Sequence, residues 1–177
     1  MRLFVAVPVP DAVKTAAARA IEELKRAGGD ARWADPAALH LTLRFLGETA
    51  ERDVPGVEKA VAAAVQGVKV IDLVFDRLGC FSERGLPKVV WAGVGTGAAE
   101  LGLLAARLPW PEEKPFKAHL TLGRLRSRRG ASFLKKAIMA TPPLGWTCRA
   151  EELVLYKSEL SGAGPQHTAL LRVSLNG

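Results

Sequence analysis

Cysteine is scarce in this chain: Cys80 and Cys148 are the only two in 177 residues. Two thiols cannot frame a disulfide-stapled domain, and they fit a reducing compartment, so a cytoplasmic location is expected. With only two cysteines, far apart in the chain, zinc knuckles and iron–sulfur centres lack ligands and a zinc finger lacks its close cysteine pair, and no metal or other cofactor is expected. No apolar run approaches the roughly 18 to 20 residues of a membrane span, so no membrane partner is expected. The opening MRLFVAVPVPD is interrupted by Pro8 and Pro10 and has no small-residue cleavage site, so it does not read as a signal peptide. Asparagine occurs once (Asn176) and glutamine twice (Gln66, Gln166). That shortage of labile amides fits a heat-adapted source, and GC-rich codon usage would produce it equally. Signatures of several enzyme classes are missing too: there is no HExxH zinc helix and no GxSxG nucleophile elbow, and Gly93–Gly97 has no Walker lysine after it. That glycine-rich stretch reads as a strand-to-helix connection.

Acid is missing from one long segment. Between Lys114 and Ala150 there are nine basic residues and no aspartate or glutamate, whereas the rest of the chain holds sixteen basic and eighteen acidic residues. The whole positive excess of the net +7 charge therefore lies in that segment. Such a patch presents a positive field to a polyanion, RNA or DNA phosphate being the common partner, although a merely solubilising basic face would look the same. Apolar residues at 49% and charged residues at 24% are ordinary for a globular chain and exclude disorder.

Hydrophobic patterning predicts strands over Arg2–Val7, around LHLTLRFLG, over Val68–Phe81, PKVVWAGV and KAHLTLGRLR, and then over Trp146–Lys157 and Thr168–Leu175. Helices are predicted from Asp11 to about Ala27, over Glu51–Gln66, from about Ala98 to Leu108, and over Ser132–Met139. The mixed order, without regular βαβ alternation, predicts an α+β fold of mainly antiparallel sheet with helices packed outside. One echo has a long period: LHLTLRFLG at position 39 returns as AHLTLGRLR at position 118. It predicts a single bilobal domain over residues 1–177, with two lobes related by a pseudo-two-fold axis, one copy in each, and a central cleft.

On a strand, side chains alternate between faces. His40 and Thr42 then share one face while Leu41 and Leu43 anchor the other, and His119 and Thr121 stand likewise against Leu120 and Leu122. If the lobes face each other, two imidazoles and two hydroxyls surround one centre. That set suits phosphoryl transfer without a metal: a neutral imidazole takes a proton from water, a protonated one gives a proton to the leaving oxygen, and hydroxyls and basic side chains stabilise the phosphate. A lone strand histidine is usually structural, but two identical copies in equivalent strands weaken that reading. His167 has no threonine two residues on and reads as a hairpin residue near the cleft rim. Trp33, Trp91, Trp110 and Trp146 read as core or rim packing rather than base-stacking platforms.

The two HLTL motifs, the FLGE after the first and the closing LVLYKSELSGAGPQHTALLRVSL resemble the two-histidine phosphoesterases. Within them the chain is most similar to the bacterial and archaeal RNA 2′,3′-cyclic phosphodiesterases, also called 2′-5′ RNA ligases. The resemblance spans nearly the whole chain. It implies a bilobal α+β fold and metal-independent hydrolysis of RNA 2′,3′-cyclic phosphate ends to 2′-phosphate ends, with reversible 2′-5′ joining in many members. It implies His40 and His119 as the catalytic pair, His119 as base and His40 as acid, with Thr42 and Thr121 holding the phosphate. Arg124, five residues after the second histidine, would contact the phosphate, and Phe45, five after the first, would stack on the terminal base. Arg126 would contact the RNA backbone. Strict alternation puts Phe45 and Arg124 on the faces opposite their histidines, unless a bulge such as one at Gly123 re-aims them; core packing is the competing role for Phe45. RNA with cyclic phosphate ends is the expected partner, tRNA fragments among the candidates, and a monomer is expected. A non-catalytic RNA-end-binding module and a 2′-5′ oligonucleotide phosphodiesterase are the competing functions.

Overall fold

A computed structural model describes Met1–Asn176. Its elements are strands β1 (Arg2–Pro8), β2 (Ala31–Trp33), β3 (His40–Glu48), β4 (Ile71–Glu83), β5 (Leu86–Val94), β6 (His119–Leu125), β7 (Trp146–Ala150), β8 (Glu152–Ser161) and β9 (Gly164–Ser174), with helices α1 (Asp11–Arg26), α2 (Val54–Ala64), α3 (Ala98–Ala106) and α4 (Ala131–Ala140). Helix α1 shows why these boundaries arise. Val13, Ala17, Ile21 and Leu24 recur at helical spacing and are buried, Asp11 sits in the first turn, and Lys25 and Arg26 complement the carbonyl end.

Two antiparallel sheets result, ordered β3-β1-β8-β9 and β2-β6-β5-β4-β7. Without β2, the second sheet repeats the layout of the first: β6 stands for β3, β5 for β1, β4 for β8 and β7 for β9. Helix α2 covers β8 and β9, α4 covers β4 and β5, and α3 lies against β3 and β4. The expected α+β, bilobal, pseudo-symmetric arrangement is what the chain adopts. One continuous apolar core contains Leu41, Leu43, Leu120 and Leu122 together with Leu3, Phe75, Leu104 and Leu153. Each fully buried leucine contributes about 1.5–3 kcal/mol relative to exposure.

The segment Trp146–Lys157, expected as one strand, is two. Residues 146–150 pair with β4 in the second sheet, whereas β8 pairs with β9 from Glu152 and with β1 over Val154–Ser158 in the first. The chain changes sheets at Glu151, where the alternation of Trp146, Cys148 and Ala150 slips by one residue before resuming at Leu153 and Leu155. The final strand begins at Gly164, earlier than expected, because the hairpin turn tightens to Gly162 and Ala163.

Candidate active site

The two histidine strands, β3 and β6, pack against each other where the sheets meet. In each, the leucines of HLTL are buried while the histidine and threonine are half-buried. Both strands then depart from simple alternation at the same place. Thr42 pairs with Ala6 and Arg44 with Val5, leaving Leu43 unpaired; Thr121 pairs with Trp91 and Gly123 with Val90, leaving Leu122 unpaired. A one-residue bulge reverses the facing of all that follows. Phe45 and Arg124 are thereby exposed on the face of their histidines, and the conflict with alternation disappears. Phe45 is 68% exposed, which rules out core packing as its role.

Gly123 itself serves the bulge's other side. A Cβ there would stand 2.6 Å from Cε3 of Trp33, so glycine lets the indole lie flat on the strand. At the equivalent position of the first motif stands Arg44, 6% exposed, whose Nη2 donates to the Ala105 carbonyl at 2.9 Å and to Glu112 at 3.0 Å. Glu112 belongs to the proline-rich loop that leads to Lys117 and His119, so Arg44 ties one histidine strand to the approach of the other.

Both imidazoles are held alike. Nδ1–H of His40 donates to the Ala38 carbonyl at 2.8 Å, and Nδ1–H of His119 donates to the Lys117 carbonyl at 2.6 Å. Each acceptor lies two residues upstream. For the first it is presented by the 3₁₀ turn Pro36–Ala38, itself capped by the Asp35 carboxylate accepting from Ala37 N–H at 3.0 Å. A donor at Nδ1 leaves the Nε2 lone pair of the neutral ring for chemistry. Burial pushes both histidines below their ordinary range. The carbonyl bonds oppose this, and the charge of His167 lowers His40 further, as those of Arg124 and Lys117 lower His119.

Aromatic rings surround each imidazole, and sequence reading missed most of them. Phe4 lies 4.8 Å from His40 between centroids and stacks on Tyr156 at 5.2 Å. His167 meets both Phe4 and His40 edge-on, so it lines the site rather than only its rim. A cavity of about 450 Å³ opens there, walled by Lys14, Asp35, His40, Tyr156, Gln166 and His167 among others. Phe81 meets His119 edge-on at 5.0 Å, and the Lys117 ammonium lies 4.2 Å from the Trp91 ring centre. These contacts join strands distant in sequence, and no local pattern signals them. Trp33 and Trp91 pack as expected. Arg126 is exposed one residue beyond β6, with its N–H donating to the Asp30 carbonyl at 2.7 Å. Among the described residues no cluster of three or more histidine, cysteine or carboxylate side chains is placed to hold a metal ion. Burial pushes the Cys148 thiol up to about 11, which removes it as a nucleophile at neutral pH.

Two matched strands each carry a histidine and a threonine, one in each sheet of a duplicated layout, the arrangement that the resemblance to the two-histidine phosphoesterases implies. Residues 7–91 match the LigT like Phosphoesterase family. Curated relatives include the RNA 2′,3′-cyclic phosphodiesterase of Archaeoglobus fulgidus, 35% identical over 72% of this chain and 74% of that protein. The RNA 2′,3′-cyclic phosphodiesterase of Thermus thermophilus is 32% identical over 100% of this chain and 91% of its own. Among solved structures, E. coli LigT in its apo form superposes with a TM-score of 0.77 at 26% identity, covering 99% of this chain and 98% of that one. The chain belongs to the LigT-like phosphoesterase family.

Proposed function

We propose that this protein hydrolyses the 2′,3′-cyclic phosphate ends of RNA to 2′-phosphate ends, using His40 and His119 as an acid–base pair. The observation that carries this reading is the matched tethering of the two rings: each Nδ1–H is spent on a backbone carbonyl, so each Nε2 is free to move a proton. The relatives named RNA 2′,3′-cyclic phosphodiesterase support the substrate class.

In the reaction, His119 Nε2 takes a proton from water as the water oxygen attacks phosphorus. The bond to the 3′ oxygen breaks in line, and protonated His40 delivers its proton there. The product carries a 2′-phosphate and a 3′-hydroxyl. The rings end with exchanged protonation and reset through solvent. Thr42 and Thr121 donate to the non-bridging oxygens, and Arg124 balances their charge. Phe45, exposed beside His40, offers a stacking face to the terminal base, and Arg126 contacts the backbone further along. A 5′-hydroxyl in place of water gives 2′-5′ joining by the same transfers.

The whole chain, residues 1–177, acts as one catalytic unit with a motif in each lobe, a reading supported by the continuous core. It works as a cytoplasmic monomer on RNA ends, tRNA fragments among them. Among the described residues no helix is long and apolar enough to cross a membrane.

The test is incubation with a short RNA bearing a 2′,3′-cyclic end, with and without EDTA. A 2′-phosphate product in both arms is expected. Binding without turnover would leave only an end-binding module, a 3′-phosphate product would refute the assigned leaving group, and loss on chelation would refute the metal-free scheme.

A further inference from the structure

Arg32 is a charged group that this scheme leaves unused. It stands in β2 directly opposite Arg124 of β6. Residues directly opposite on neighbouring strands share a face. Because the bulge at Leu122 turns Arg124 to the side of His119 and Thr121, Arg32 lies on that side as well. Trp33, the next residue of β2, points the opposite way onto Gly123.

Both arginines are exposed, and among the described residues neither forms an ion pair. Like charges at directly opposed positions, with Cβ atoms about 4.5–5.5 Å apart, destabilise a sheet. No carboxylate relieves this repulsion, so an external anion is what would complete the pair. Two guanidinium forks match the oxygens of a phosphodiester. Placement narrows the choice of anion. Arg32 Nη2 lies 2.6 Å from the point where a Cβ on Gly164 would stand. Its guanidinium therefore reaches from the second sheet onto the β8–β9 hairpin of the first, three residues before His167, which in turn meets His40. The Arg124 charge acts on His119 at the other side. The arginine pair thus spans the cleft beside the two imidazoles.

We propose that Arg32, set beside the Arg124 that holds the cyclic phosphate, binds the phosphodiester that joins the terminal nucleotide to the rest of the RNA strand, so that the cleft reads a chain end rather than a free nucleoside cyclic phosphate. This rests on the cleft being the cyclic-phosphate site. A nucleoside 2′,3′-cyclic phosphate lacks that phosphodiester, whereas a dinucleotide with the same end carries it, and the pair isolates the contact.

The experiment compares kcat/KM for the two substrates in the wild type, Arg32→Met, Arg32→Gln and Arg32→Lys, with melting curves to confirm folding. The wild type should favour the dinucleotide. Arg32→Met and Arg32→Gln should cut that preference about tenfold, the size of one charge-assisted contact, mainly through KM, and Arg32→Lys should keep most of it. The dependence of log kcat/KM on log salt for the dinucleotide should become shallower by about 0.7, the value for one lost single-strand phosphate contact. An unchanged preference ratio, whether both rates fall together or neither falls, overturns the proposal. If the wild type turns over neither substrate, the proposed function fails instead. Binding of a short RNA ending in a 2′-phosphate, followed by fluorescence polarisation, then still reads Arg32: equal affinity and equal salt slope in wild type and Arg32→Met would refute its role.

Discussion

His167 meets His40 edge-on, with 5.2 Å between the ring centroids and the planes at 90°. Two imidazoles this close do not titrate independently, because a charge on either disfavours a charge on the other. His167 charge lowers the His40 pKa, after burial, which is the larger cause. Replacing His167 by glutamine removes the neighbouring charge and should raise the pKa of His40 toward its ordinary value without reaching it, since burial persists. Side-chain NMR titration of His40 in the two proteins measures this, and an unmoved or lower value would contradict the coupling.

His40→Ala and His119→Ala should each reduce turnover of a cyclic-ended RNA by at least about a hundredfold, the scale of one general acid or base, with melting temperature close to wild type. Near-normal activity in either variant would remove that residue from the chemistry.

The rate profile against pH should be a bell with an uncommon offset. In the free enzyme both histidines lie below 6.5, so the form with one ring protonated is most abundant on the acid side of that value. The optimum of kcat/KM, which reports the free enzyme, should therefore fall below 6.5. A bound phosphate favours the protonated ring and raises its pKa, so the kcat optimum should lie at higher pH. Coincident optima would show that the phosphate does not sit between the rings.

Stability should follow the same groups. All three histidines have folded-state values lowered by burial from the unfolded 6.5. The unfolded chain therefore binds more protons as pH falls through 6.5. The stability present above that value is lost progressively until the folded-state values are passed. Scanning fluorimetry should show the melting temperature falling in this window, and a His40→Gln, His119→Gln double variant should show a flatter curve. An equally steep curve in that variant would place the proton uptake elsewhere.

Glycines beside the tryptophans carry a packing prediction. A methyl group at Gly123 would press on Trp33, and one at Gly79 on the Trp91 ring, while a methyl at Gly56 in α2 meets nothing within 4 Å. Gly123→Ala and Gly79→Ala should each destabilise by about 1–3 kcal/mol, read as a drop of several degrees in melting temperature. Gly56→Ala should be neutral or stabilising. Equal melting temperatures for all three would mean that the indoles move aside freely.

Much of this site is legible in the linear sequence because strand alternation is a local rule. His40 with Thr42, and His119 with Thr121, declare their shared faces within three residues, and the duplication declares the second lobe. Phe45 and Arg124 lie beyond that rule's reach, since their facing depends on a bulge set by pairing with β1 and β5. Gly123 hinted at one bulge; nothing at Arg44 hinted at its twin. Phe4, Tyr156, Phe81 and Arg32 have no local signature at all. Each becomes notable only when strands far apart in sequence are laid side by side. The break at Glu151 leaves only a one-residue slip in the sequence: Trp146, Cys148 and Ala150 alternate with polar residues and the pattern resumes out of phase at Leu153 and Leu155, which a single bulged strand would show as well.

That crossing at Glu151 also limits how the molecule can breathe. A single residue separates the last pairing in one sheet from the first in the other, so the halves share a pivot with almost no slack.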